Sequence, residues 1–310
     1  MQKKILIAVD DSPPSRQAVA YAGRMAGAIP ELGACLFCVQ PPISQFLLEE
    51  AKLSAGAQSE LKKLATRNTE AGHKLLSSCR EMLIRNGMQG ERIELVTQPR
   101  SQGVAKDILD YAQNGLFDAI LVGRRGVSFL QQMFTGSVSA HLIENSPVIP
   151  VWLVDGDVAS TQIMAAVDGS ESALRAVDHM VFMLSGNPRA RICFFHVTPR
   201  LKDYCEINFG TEPDEGAEAL IAAGDKRCMN DFFPAALAKL RDAGFPENQI
   251  ETRTEATLAS IGETILKVAR EGGFGTIVMG RRGIGKSFFG GKVSYTVSQK
   301  LDGAALWLVP

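Results

Sequence analysis

The chain has no apolar run long enough to cross a bilayer. Its longest, such as Ala119–Val122 and Val148–Val154, fall well short of the roughly 18–20 residues a spanning helix needs. Only five strand-like apolar residues precede Asp10, and Lys3 and Lys4 stand before them, which is too short and too early in charge for a secretory leader. A cytoplasmic location without a membrane partner is therefore expected. Charge of one sign is lacking as well. Residues 1–155 carry 16 Lys+Arg against 15 Asp+Glu, and residues 156–310 carry 17 against 19. That balance leaves no basic footprint for a nucleic acid. Cysteine is scarce at six residues, which without a leader read as free thiols. With 45% hydrophobic and 22% charged residues, the composition excludes a disordered chain, and 310 residues suit about two domains.

Familiar catalytic signatures are missing too. There is no Gly-x-Ser-x-Gly elbow, no His-Glu-x-x-His, and no Ser-Gly-Gly-x-Asp-Ser loop. The four histidines, His73, His141, His179 and His196, are scattered and read as structural. Cys35-x-x-Cys38 and Cys193-x-x-His196 have metal-like spacing, but both lie inside strand-like runs, where positions i and i+3 point to opposite faces. A packed core is the expected role, and no catalytic or metal-ligating side chain is assigned.

What the chain does contain, it contains twice. Ile5-Leu6-Ile7-Ala8-Val9-Asp10-Asp11-Ser12 returns as Ile163-Met164-Ala165-Ala166-Val167-Asp168-Gly169-Ser170, 158 residues later. Ala119-Ile120-Leu121-Val122-Gly123-Arg124-Arg125-Gly126 returns as Thr276-Ile277-Val278-Met279-Gly280-Arg281-Arg282-Gly283, 157 residues later. So long a period is a duplicated domain rather than a solenoid repeat of roughly 20–50 residues. The expected boundary lies near Asp155–Ser160.

Short β-branched runs alternating with helical patterns predict a parallel α/β fold in each half. In the first half the strands read Lys4–Val9, Ala34–Val39, Arg92–Thr97, Ala119–Val122 and Val148–Val154. In the second they read Gln162–Val167, Arg191–Val197, Gln249–Thr254, Thr276–Met279 and Ala305–Val309. Ser12-Pro13 and Ser170-Glu171 are expected to open helices. Long polar helices are expected over Ser59–Asn86 and Asp225–Ala243, each followed by a glycine (Gly87, Gly244). Pro41–Ala57 and Pro199–Gly224 have the least periodicity, match least between the halves and read as loops or excursions.

After the fourth strand come Gly123, Gly126 and, nine residues on, Gly136-Ser137 at the start of an apolar-patterned helix. Glycines let backbone approach an anion, and a serine with a helix N-terminus donates to oxygen, so the pattern suits phosphates, with Arg124 and Arg125 adding positive charge. Gly123-x2-Gly126-x9-Gly136-Ser137, with Val9-Asp10 and the Val-x-Pro of Val39-Gln40-Pro41 and Val197-Thr198-Pro199, resembles the universal stress protein family, over nearly the full length and in both halves.

The resemblance implies two tandem Rossmann-like α/β domains, 1–155 and 160–310, each an open five-stranded parallel sheet of order 3-2-1-4-5 with helices on both faces. It also implies ATP, with Mg2+ as its companion, across the ends of strands one and four. Gly126, Gly136 and Ser137 would contact triphosphate and ribose, Gly123 would edge the loop, and Asp10 and Val39 would line adenine and ribose. The second-half counterparts are Asp168, Val197, Gly280, Gly283 and Ser294. There Val293 replaces the third glycine, and a β-branched residue resists φ > 0. Gly290-Gly291 offer a shorter loop in its place, so that half stays open.

Gly280-x4-Gly285-Lys286-Ser287 imitates a P-loop, but only 23 residues follow, and the first half has no matching Lys. Asp10-Asp11 imitates a phosphoacceptor pair, but neither the partner Asp nor the Lys stands at the strand ends required. The expectation is an ATP-binding stress-response regulator with slow or no hydrolysis. Its two domains would pair within one chain through their fifth strands, each carrying a Trp (Trp152, Trp307), with a homodimer of the whole chain left open. The rivals are a nucleotide-hydrolysing or phosphotransfer enzyme and a scaffold without nucleotide.

Overall fold

The computed structural model describes residues 2–124, 138–204, 215–257, 260–282 and 291–310. They form two compact units, residues 1–27 with 31–149 and residues 28–30 with 150–310.

The first unit runs β1 (Lys3–Ala8), α1 (Pro13–Met25), β2 (Leu32–Val39), α2 (Gln45–Leu53), α3 (Ala55–Arg85), β3 (Ile93–Gln98), α4 (Val104–Asn114), β4 (Ala119–Gly123) and α5 (Val138–Asn145). Its strands lie in the order β3-β2-β1-β4, all parallel, with Ile5 between Ala34 and Ala119. Ile5, Leu6 and Ile7 are all buried, as a central parallel strand covered on both faces requires. Each such side chain contributes about 1.5–3 kcal/mol. α1 and α3 pack together, as do α4 and α5.

The second unit contains β5 (Val151–Val154), β6 (Ile163–Val167), α6 (Glu171–Leu184), β7 (Ile192–Thr198), α7 (Leu201–Tyr204), α8 (Glu215–Asp242), β8 (Ile250–Ala256), α9 (Ile261–Glu271), β9 (Thr276–Gly280), α10 (Lys292–Lys300) and β10 (Ala305–Val309). The order β8-β7-β6-β9-β10 is the expected 3-2-1-4-5, all parallel. β5 adds antiparallel to β10, with Trp152 opposite Trp307. Their rings stack at 3.8 Å and 2°, and His179 of α6 meets both edge-on at 5.8 Å.

Local sequence accounts for the helix ends. Ser12 accepts from the amide of Ser15 at 3.4 Å and Ser170 from that of Ala173 at 3.1 Å, each capping the helix it opens. Gly87 and Gly244, at φ +112° and +82°, follow α3 and α8 as expected.

Pro41–Ala57 is an excursion rather than a loop, since it contains α2 and the start of α3, and α8 likewise begins inside the second such segment. α2 buries no residue and packs chiefly on α3, and its apolar Phe46 and Leu53 stay exposed, so no buried apolar face marks it. The fifth strand starts at Val151 rather than Val148. Pro150 lacks an amide for a ladder, and the Ser146 hydroxyl donates to the Ile149 carbonyl at 2.6 Å, holding a turn.

Candidate functional site

β1 is the point where the strand order of the first unit reverses, with β2 on one side and β4 on the other. In such sheets the crevice beyond the carboxyl ends at that point is open to a ligand. A cavity of about 170 Å³ lies there. Phe37 and Val39 of β2 and Val104 and Ile108 of α4 supply apolar wall, and Asp10, Ser12 and Ser139 supply polar groups.

Backbone geometry holds the polar side in place. The amide and hydroxyl of Ser12 both donate to Asp10 Oδ1, the amide contact at 3.1 Å, and the Asp10 amide donates to Ser15 Oγ at 3.0 Å. The carboxylate is thereby fixed in the turn that starts α1. Gly123 ends β4 against that same turn. A Cβ on it would lie 2.2 Å from the Pro14 carbonyl oxygen and 2.8 Å from the Ser15 nitrogen. This glycine is required by the approach of helix to strand, a demand separate from any ligand. Val138 and Ser139 of α5 also line the cavity.

Of the sequence-predicted residues, Asp10, Val39 and Gly123 line one cavity, and Arg124 directly follows β4. Arg125, Gly126, Gly136, Ser137 and Gly283 lie outside the described residues. Sequence reasoning missed Phe37, Val104 and Ile108. The usable signal was the i, i+4 spacing of Val104 and Ile108 on the face of α4 turned to the sheet.

The second-half counterparts make mostly internal contacts. Asp168 accepts from the Ser170 amide at 3.0 Å, and Val197 is buried. A Cβ on Gly280 would lie 2.5 Å from Ser172 Oγ, the same helix-to-strand demand as at Gly123. Ser294 is buried, with its hydroxyl 2.7 Å from the Arg281 carbonyl and 2.9 Å from that of Gly291. It therefore donates to its own chain. Burial and the neighbouring Arg282 lower the Arg281 pKa.

The two Cys-x-x pairs sit in strands, as read. Cys35 and Cys38 are both buried, and burial pushes the Cys35 thiol up to about 12 and raises that of Cys38. In the second unit burial pushes Cys193 up to about 11. His196, in the place of Cys38, is 2.9 Å through Nδ1 from the Val167 carbonyl and 2.9 Å through Nε2 from Asp225 Oδ2. It ties β7 to α8.

The model of the Universal stress protein family matches residues 1–155 and again 160–302. The chain belongs to the universal stress protein family. Over 160 residues it is 28% identical to the universal stress protein YxiE of Bacillus subtilis strain 168, covering 50% of this chain and 99% of that protein. Among solved structures, a universal stress protein from Archaeoglobus fulgidus DSM 4304 matches with a TM-score of 0.65 and 19% identity, covering 99% of this chain and 97% of that one. A functionally unknown protein from Pseudomonas aeruginosa PAO1 matches at 0.56 and 14%, covering 99% and 92%. Both matches run over nearly the full length of each chain and so agree with the α/β fold of both halves. No described helix is long and apolar enough to cross a membrane.

Proposed function

We propose that the first unit binds an adenine nucleotide, ATP with Mg2+ foremost, and that the chain is a nucleotide-linked regulator rather than a fast enzyme. The observation that carries this reading is the cavity at the strand-order reversal, where an apolar wall suited to base and sugar meets Asp10, Ser12 and Ser139. The glycine-serine pattern of a phosphate cradle is complete in the same half only. Asp10 would meet the ribose or the metal, and Gly126, Gly136 and Ser137 the phosphates. Among the described residues at the cavity the one carboxylate is Asp10, which this reading assigns to ribose or metal rather than to an attacking water, and fast phosphoryl transfer depends on a positioned base together with charge neutralisation. Turnover should therefore fall well below the roughly 1–100 s⁻¹ of dedicated kinases.

The stoichiometry is read as one nucleotide per chain, because Val293 replaces the cradle glycine in the second half and Ser294 already donates internally. Titrating ATP into the full chain by calorimetry tests both points. One site is expected, weakened roughly a hundredfold by Gly136→Val. Two sites overturn the stoichiometry, and none overturns the reading. Steady-state phosphate release in the kinase range, abolished by Gly136→Val, overturns the regulatory role.

A further inference from the structure

Phe37 lines the cavity and is itself 1% exposed, so something beneath it sets where its ring stands. That neighbour is Tyr111, whose ring stacks on Phe37, with centroids 4.5 Å apart and planes at 22°. Tyr111 sits one helical turn beyond Ile108 on α4, so one face of one helix first lines the cavity and then backs its wall. Tyr111 is held in turn. Phe117 tilts against it at 6.0 Å, and the Lys4 ammonium lies 4.6 Å over Phe117.

The duplication supplies a comparison. Phe195 repeats Phe37, Ile265 repeats Ile108 and Phe274 repeats Phe117, but the residue in the place of Tyr111 is Val268. Among the described residues no aromatic ring stacks on Phe195. The stacked floor thus belongs to the half with the complete glycine-serine pattern.

We infer that Tyr111 is a positioning residue that fixes the depth of the first-unit cavity by pinning Phe37, so that the cavity selects an unsubstituted purine nucleotide over bulkier ones. The inference rests on the nucleotide reading above. Its physical basis is that a ring backed by another ring at van der Waals distance has nowhere to retreat, whereas cutting that backing ring down to valine removes the atoms that hold it and leaves space into which it can turn. The wall then yields to a larger ligand.

The test measures affinities of the full chain for ATP, N6-benzyl-ATP, 2-methylthio-ATP and 8-bromo-ATP in the wild type, Tyr111→Val and Tyr111→Phe. Tyr111→Val copies the second half, and Tyr111→Phe keeps the stack while removing the hydroxyl. In Tyr111→Val, ATP should weaken while at least one analogue improves, moving their ratio by roughly tenfold or more, the scale on which apolar pockets discriminate by size. Tyr111→Phe should keep the wild-type ratio. A folded Tyr111→Val in which ATP and all analogues change by one common factor overturns the inference and makes Tyr111 a core residue only. Should that variant not fold, Tyr111→Leu replaces it with the same expected ratio and the same overturning result. A wild-type chain that binds none of the four nucleotides overturns the nucleotide reading, and this inference with it.

Discussion

The indole N–H of Trp152 donates to Nε2 of His179 at 3.1 Å, so the ring of His179 must be neutral at that nitrogen. Burial lowers the His179 pKa from 6.5 to about 3. Histidine in the unfolded chain takes up a proton near pH 6.5, which the folded chain refuses until about pH 3. The stabilising contribution is therefore complete above pH 6.5 and declines as pH falls from 6.5 towards 3. At 1.36 kcal/mol per pH unit, lowering pH from 7.5 to 4.5 removes at most about 3 kcal/mol. Because His179 is partly solvent-accessible, that value is a ceiling. Urea unfolding followed by tryptophan emission checks it, since both tryptophans of the chain lie in this stack. His179→Gln keeps an acceptor and should lose this part of the pH dependence; identical pH profiles for the two proteins would refute the assignment.

Gly123→Ala should destabilise the first unit by about 1–3 kcal/mol, the range for forcing an extra carbon into a packed site. The added Cβ meets backbone of Pro14 and Ser15, which cannot swing aside as a flexible side chain would. The turn carrying Asp10, Ser12 and Ser15 has to shift with it. Denaturant midpoints measure the first effect, and ATP affinity under folded conditions measures the second.

Leu116 occupies the left-handed region at φ +52° and is 86% exposed. Its repeat partner, Gly273, has φ +68°. Leucine is strained there and gains no packing in return. Leu116→Gly should stabilise by about 0.5–1 kcal/mol, the relief of the left-handed strain less the greater freedom of glycine in the unfolded chain. Gly273→Leu should shift stability the other way. A Leu116→Gly protein that melts below the wild type would show that the exposed side chain has a packing role.

A chain cut after residue 155 would retain β5 but lose β10, leaving the edge bearing Trp152 without the strand that covers it. Unpaired apolar edges seek other edges. The fragment should dimerise or aggregate, with its apparent mass in sedimentation rising with concentration, whereas the full chain should not depend on its own strand partner being in solution. A stable monomeric fragment contradicts this.

Much of the fold was legible because β-branched runs, Ser caps and terminal glycines act locally, within a few residues of the strand or helix they specify. Ser12 and Ser170 cap where the sequence pattern placed them. α2 was illegible because its apolar Phe46, Leu48 and Leu53 stay exposed, so no buried periodic face distinguishes it from a loop. Phe37 and Tyr111 could not be paired beforehand. They are 74 positions apart, and the contact exists only because β2 and α4 fold against each other. Gly123 was read as a ligand glycine from its place in a motif, whereas its close packing against α1 depends on a helix contact that no local pattern encodes.

Two copies on one polypeptide answer to selection separately. In an assembly of identical subunits every substitution is made on both sides at once, so neither copy can be released from the shared task. Here Tyr111 and Val268, Cys38 and His196, Leu116 and Gly273, and Tyr21 and His179 have each diverged at matching positions. The continuous chain leaves each copy free to change without the other, and these four pairs are places where the two have done so.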